Sequence, residues 1–507
     1  MIRAGARASV AISLVAHTNV GKTTLARTLL QRDIGEVRDE AHVTMAAERH
    51  VLIESAQGDR LELWDTPGFG DSVRLAQRLA RAGNPIGWFL NEVWDRWRER
   101  ALWSSQRAMR NVLEQADVVL YLVNASEQPE DVGYLDAELK VLELLGKPVL
   151  VLLNQTGAPR GPAAEAAELQ RWHERCAGSA IVREVLALDA FARCWVQEDA
   201  LLAAMAPLLA SAQGAAFARL RLAWRERRQT TWRASCAVLA ERLARAALDR
   251  APVVESGWTG RVRELGAALG IPAGAAANPR ELAMTALAER LEADLRASTD
   301  RLIALHGLGG KASAIVQQRL AEHFAVREPV SEGKSALFGG MLSGALVGLK
   351  ADIVSGGLTL GGGLLAGGVL GALGALGLAR GYNLLRGVDK PMLAWSEPVL
   401  DGLVHSALLG YLAVAHFGRG RGEWEAAEHP AFWSNAVDAL LAEQRTALQG
   451  IWAQRAAAAP QALQDSLDLA LVDWTRSLLQ RLYPGSSGAF EELGAETGSA
   501  VPDGFSR

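Results

Sequence analysis

A short apolar run that leads directly into Gly-Lys-Thr and then into an amphipathic helix leaves a chain few folds. Residues 10–30 have that order. "VAISLVAH" is β-branched and apolar, as a strand covered on both faces must be, and "GKTTLARTLL" places Leu25 and Leu29 at helical spacing. Between the two lies "AHTNVGKT", residues 16–23, which matches G-x-x-x-x-G-K-[ST] except that Ala16 replaces the first glycine. A strand, a tight loop and a helix N-terminus converge backbone N–H groups and the helix dipole on one point, which is what a phosphate requires. On this reading Asn19, Val20, Gly21, Lys22, Thr23 and Thr24 surround a nucleotide's phosphates. Lys22 reaches the β- and γ-phosphates, and the Thr23 hydroxyl binds Mg²⁺.

A metal-side element follows. "HVLIESAQGDRLELWDTPG" reads as a hairpin: a strand over 50–56, a turn at Q-G-D, and a strand over 61–64 ending on Asp65. Asp65 would hold Mg²⁺ through water, and the Gly68 N–H would meet the γ-phosphate. Thr44, in "AHVTMAAER", stands where a threonine would complete the metal shell, and an ordinary loop residue is its plainer reading. Lys22, Gly68 and Thr44 are therefore the catalytic candidates, and Thr23, Thr44 and Asp65 the Mg²⁺ candidates. Apolar runs at 117–126, 147–157 and 180–191, with a helical stretch at 131–146, complete an α/β pattern. Such alternation predicts a doubly wound, mostly parallel sheet with its site at the carboxyl ends of the strands.

Ala16–Thr23, Thr44, Asp65–Gly68, Asn154 and the Ala187–Asp189 region keep the order of five guanine-nucleotide motifs. With the wording "NVGKTTL" and "DTPGFGD", residues 8–210 resemble the Era/TrmE-like branch of the translation-factor-class P-loop GTPases. More faintly, the whole chain resembles bacterial GTPases with an uncharacterised glycine-rich C-terminal domain. The resemblance implies GTP and GDP as ligands, Mg²⁺ as cofactor and GTP hydrolysis, with Asn154 and Gln155 at the base.

Two departures bear on that expectation. The family reads guanine with N-K-x-D, whereas this chain has Asn154-Gln155-Thr156-Gly157, with glycine in place of the carboxylate. Asp189 is another carboxylate that could substitute; ATP use or loose specificity is the alternative. Phe69 follows D-T-P-G where many GTPases carry a water-orienting glutamine, so hydrolysis should be slow without an activator. Asn19 offers a remedy through the resemblance: in potassium-activated relatives an asparagine here helps to bind K⁺, whose charge stabilises the transition state. Its plainer role is to stabilise the loop backbone. His17 reads as structural or exposed.

Between Asp65 and the strand at Asp117 lies a tryptophan-rich insert, about 72–112, with Trp88, Trp94, Trp97 and Trp103. Packing is the favoured reading, with a partner or membrane surface as the alternative. The three cysteines, Cys176, Cys194 and Cys236, have no C-x-x-C spacing and fit a reducing compartment. A formal charge of −4 gives no general case for nucleic acid, so none is expected as a partner.

From residue 213 the chain reads as an all-α C-terminal domain: helices over 213–333, a glycine-rich apolar hairpin over 334–387, helices again over 388–485, and a disordered tail over 486–507. In the hairpin, Gly340, Gly344 and Gly348, then Gly363, Gly367 and Gly371, recur at four-residue spacing, and Ile353–Ala379 carries no charge. That run is long enough to span a bilayer, with small residues that let apolar helices approach closely. A buried hairpin in a soluble domain is the alternative. The apolar run 398–417, with Asp401, His405 and His416, reads as a core helix.

Taken together, residues 1–212 are expected to form a GTPase domain whose nucleotide state is coupled to a membrane-associated helical region. Expected partners are GTP, GDP and a membrane or membrane protein, with a homodimer left open; the expected location is the cytoplasm, with attachment to the inner face of the cell membrane as an option. A non-catalytic or ATP-using scaffold in a soluble complex is the competing reading.

Overall fold

The computed structural model describes residues 8–32, 34, 47–81, 84–87, 99–157, 160–253, 279–308, 382–386, 391–417, 431–456 and 459–491. The chain divides into two compact units: 1–230 with 415–432 and 479–507, and 231–414 with 433–478.

The first unit is built on six strands: β1 (Ser9–Ala16), β2 (Glu48–Glu54), β3 (Arg60–Asp65), β4 (Val118–Asn124), β5 (Val149–Asn154) and β6 (Val182–Ala187). Their order is β2-β3-β1-β4-β5-β6, and only the β2–β3 pair is antiparallel. The order reverses around β1, so the crevice beyond its carboxyl end is where a ligand belongs. Among the described residues six helices accompany the sheet: α1 (Lys22–Leu30), α2 (Ser72–Leu79), α3 (Arg100–Gln115), α4 (Leu135–Leu145), α5 (Pro162–Cys176) and α6 (Trp195–Met205). Val10–Val15 of β1, Val118–Val123 of β4 and all of β5 are buried, which explains their mostly apolar sequences. Each such valine or leucine contributes about 1.5–3 kcal/mol by leaving water. Trp172 of α5, Tyr121 of β4 and Met109 of α3 fill the same core. Trp103 lies on α3 and is half-buried; Trp88, Trp94 and Trp97 lie outside the described residues.

The helix α7 (Ser211–Leu248) follows, and its first half is tied into this unit by charge. Arg219 donates two hydrogen bonds to Asp59 in the β2–β3 turn, at 2.7 and 3.0 Å. Arg225 reaches Asp199, and Arg228 reaches Glu198, at 2.8 and 2.6 Å.

The remaining helices among the described residues are α8 (Pro279–Leu305), α9 (Glu397–Ala415), α10 (Ala431–Glu443), α11 (Arg445–Ala453) and α12 (Pro460–Leu482). Leu463, Leu467, Leu471, Trp474 and Leu478 run along α12 at three- and four-residue spacing and are buried. In the second unit the Trp232 indole donates to Thr475 at 2.8 Å. Among the described residues, α9 is the one helix long and apolar enough to cross a membrane. Leu400, Leu403, Val404, Leu408 and Leu412 on it are buried in the protein, as the core-helix reading expects.

Two expectations need correction. The C-terminal region is largely helical but not all-α: β8 (Tyr382–Arg386) pairs antiparallel with β9 (Pro391–Trp395), and β9 pairs with β7 (Ala251–Pro252). "YNLLR" and "PMLAW" are too short for stable helices. Pro391 takes the first position of its strand, the place within a strand where proline is accommodated. The expectation of a disordered tail from 486 does not hold for residues 486–491. Ser486–Phe490 forms a 3₁₀ turn because Phe490 packs edge-on against Trp195 at 5.1 Å and the Ala489 carbonyl accepts from Gln229. Residues 492–507 lie outside the described residues, as does 334–387 apart from the strand at 382–386.

Candidate nucleotide-binding site

The loop after β1 has the backbone that a phosphate cradle needs. Asn19 has φ +67° and Gly21 φ +94°, both left-handed, and asparagine is among the few non-glycine residues that tolerate this region. A Cβ on Gly21 would lie 2.7 Å from Asn154 Nδ2, so only glycine fits. Gly21 caps α1, and Lys22, Thr23 and Thr24 open that helix. Lys22 is buried, and burial lowers its pKa, opposed by the charges of Asp65 and Glu138.

Asp65 ends β3 beside this helix, and Thr23 Oγ1 donates to its Oδ2 at 2.6 Å. The other oxygen, Oδ1, is buried with no hydrogen-bond partner among the described residues. Burial pushes the Asp65 carboxyl up to about 6 in spite of the Thr23 hydrogen bond and Lys22. A buried carboxylate oxygen without a donor, next to a hydroxyl, is the donor set of a hard divalent cation, so Thr23 and Asp65 fit Mg²⁺. Thr44 lies outside the described residues.

The D-T-P-G segment is fastened at several points. Phe69 N donates to Ala16 O at 2.9 Å and Thr18 Oγ1 to Phe69 O at 2.8 Å, extending the β1–β3 pairing. A Cβ on Gly68 would sit 2.9 Å from Lys22 Nζ and 3.2 Å from Thr18 Cα. On the other side, Ser104 of α3 donates to Gly68 O at 2.8 Å, and the neighbouring Ser105 accepts from Gly70 N at 3.1 Å. Sequence reasoning missed Thr18, Ser104 and Ser105, because small hydroxyl residues carry no motif.

It also missed Glu138. This buried carboxylate of α4 accepts from the Tyr121 hydroxyl at 2.6 Å and lies 2.7 Å from His17 Nδ1, while the His17 ring stacks on Tyr134. His17 is thus a structural residue of the loop.

The loops after β5 and β6 close the other side. Asn154 Nδ2 donates to Val20 O at 2.6 Å, and its Oδ1 accepts from Ala190 N at 2.7 Å. Gln155, with φ +56°, directs Nε2 to Asn19 O at 3.4 Å. Asp189 Oδ2 accepts from both Thr156 N and Thr156 Oγ1, at 2.7 and 2.8 Å, and Oδ1 accepts from Phe191 N. Asp189 therefore clips the two loops together. The structure brings Asn19, Val20, Gly21, Lys22, Thr23, Asp65, Gly68, Asn154 and Gln155 around one crevice.

The match to a family model agrees with this geometry. Residues 11–155 match the family model described as 50S ribosome-binding GTPase. The tRNA modification GTPase MnmE of Ligilactobacillus salivarius (strain UCC118) is 31% identical over 156 residues, covering 30% of this chain and 26% of that protein. The chain thus spans about a quarter of the length of that curated relative. Two solved structures share 36% of this chain and 51% of their own: Era with MgGDPNP and a piece of 16S ribosomal RNA, at 20% identity and a TM-score of 0.27, and an Era variant of Aquifex aeolicus with GDP·AlF₄⁻, at 19% and 0.26. Residues 11–155 form a P-loop GTPase domain, consistent with the Era/TrmE-like branch.

Proposed function

We propose that the protein is a Mg²⁺-dependent, GTP-binding and GTP-hydrolysing switch. The observation that carries this is the Thr23–Asp65 contact with its donorless Oδ1, set beside the buried Lys22 and the Gly68 backbone. Mg²⁺ held by Thr23 and Asp65, with Thr44 as a further ligand, would offset charge on the β- and γ-phosphates. Lys22 binds those phosphates, and the Gly68 N–H senses the last of them. Phe69 is fully buried and orients no water, so turnover is slow unless another charge assists. Asn19 is the residue we assign to a K⁺ in that role.

The GTPase domain, placed at 1–212, works on the helical region that follows it. The uncharged run Ile353–Ala379 supports association with the cytoplasmic face of the cell membrane, directly or through a membrane protein. A homodimer is compatible with this reading, and the formal net charge of −4 gives no general electrostatic support for an RNA partner.

Phosphate release from GTP, in K⁺ and in Na⁺, tests the proposal with Lys22→Ala as control. The expected result is turnover that rises in K⁺ and is lost in the variant; turnover indifferent to Lys22 would sink it. Deletion of 334–387 should move the protein from membrane to soluble fractions, and unchanged partitioning would remove the membrane from the reading.

A further inference from the structure

A purine is recognised by its edge. Guanine presents N1–H and the 2-amino group as donors beside the O6 acceptor, whereas adenine presents a 6-amino donor beside the N1 acceptor. A site discriminates strongly between them when the wrong base leaves its own polar groups unpaired. The loops after β5 and β6 are where such a reader would stand.

Their polar groups can be followed one by one. Asn154 is buried, with one end of its amide on Val20 O and the other on Ala190 N. Leu188 N goes to Leu153 O, Phe191 N to Asp189, and the Ala187 carbonyl accepts from Gln197. Asp189 is the one carboxylate on the described residues of these loops; it is buried and already accepts three hydrogen bonds from Thr156 and Phe191. Gln155 sends its amide nitrogen back to Asn19. Gly157 offers no side chain, and a Cβ there would meet nothing within 4 Å. On the phosphate side Lys22, Thr23 and Asp65 converge, while on the base side the Asn154 amide and the Asp189 carboxylate are engaged in holding the loops together.

We infer that the site selects its ligand by the triphosphate and reads the base weakly, so that GTP, ITP and ATP bind within tenfold of one another. This rests on the switch reading above and widens its substrate class to purine nucleoside triphosphates. Asp189 is a clip between loops and takes no part in base recognition.

The test is displacement of a fluorescent GTP analogue from the full chain in Mg²⁺ by unlabelled GTP, ITP and ATP. Wild type should show constants within tenfold of one another, and Asp189→Asn the same spread. Gly157→Asp places an acceptor in the open space and should raise the GTP-to-ATP ratio at least tenfold; aspartate is among the side chains that tolerate its φ of +76°. A wild-type preference for GTP above tenfold would overturn the inference, and its loss in Asp189→Asn would name Asp189 as the reader. An unchanged ratio in Gly157→Asp would overturn the placement of the base at these loops. Absence of displaceable analogue, or displacement indifferent to Lys22→Ala, would instead sink the phosphate-site reading, and this inference with it.

Discussion

Thr23 Oγ1 donates to Asp65 Oδ2 at 2.6 Å, so the start of α1 and the end of β3 are already joined where a divalent cation would bridge them. Asp65→Asn keeps the shape and removes the charge. Half-maximal triphosphate binding should then require at least tenfold more Mg²⁺, a change of about 1.4 kcal/mol. A Mg²⁺ titration of nucleotide binding checks this, and an unshifted midpoint would remove Asp65 from the metal site.

Gly68→Ala tests the closeness of that segment to Lys22. The added Cβ meets the end of a flexible lysine at 2.9 Å but also the Thr18 backbone at 3.2 Å, so the chain from Gly68 to Phe69 must shift. Single-turnover hydrolysis should fall about tenfold or more, equivalent to about 1.4 kcal/mol in the barrier, while nucleotide affinity changes little.

Glu198 stands buried between Arg193 and Arg228, at 2.6 Å from each. Removing it strands two guanidinium groups out of water, and a broken buried pair typically costs about 3–5 kcal/mol. Glu198→Ala should therefore lower the denaturation midpoint of the first unit severely. A surface-like loss below about 1 kcal/mol would contradict the burial described.

The Asp59–Arg219 pair sets an acid limit. The hydrogen bond from Arg219 holds the Asp59 carboxyl well below its ordinary value of 3.8. A depressed carboxylate contributes stability above the unfolded value and loses it as pH falls toward the folded one. The urea-midpoint difference between wild type and Arg219→Ala should thus be constant above about pH 5 and shrink progressively below about pH 4. A difference that grew in acid would have the wrong sign.

The sheet and the phosphate loop could be read from sequence because their causes are local. Val10–Val15 is apolar because both its faces are covered, and Gly21-Lys22-Thr23 is contiguous. Asp65 was legible because it ends a strand beside a proline and a glycine. The clip made by Asp189 was not, since its partner Thr156 lies across another strand and helix, and nothing in "ALDAF" says which way the carboxylate turns. Ser104 and Ser105 look like ordinary polar residues of an amphipathic helix until the D-T-P-G backbone is seen against them. The strand pairing of 382–386 with 391–395 was hidden because both segments adjoin a long glycine-rich run whose four-residue spacing suggests helices.

The loop at 188–193 holds both ends of the helix that follows the phosphate loop. Near its start, Ala190 N meets Asn154, which in turn holds Val20 O. Near its end, Thr28 Oγ1 donates to Ala190 O, and Arg193 donates to Thr28 O. A helix bracketed in this way works as a fixed anvil. On the switch reading proposed above, a rearrangement set off by a triphosphate is expected on the flank of Asp65, Gly68 and α3, the side of the helix away from these ties.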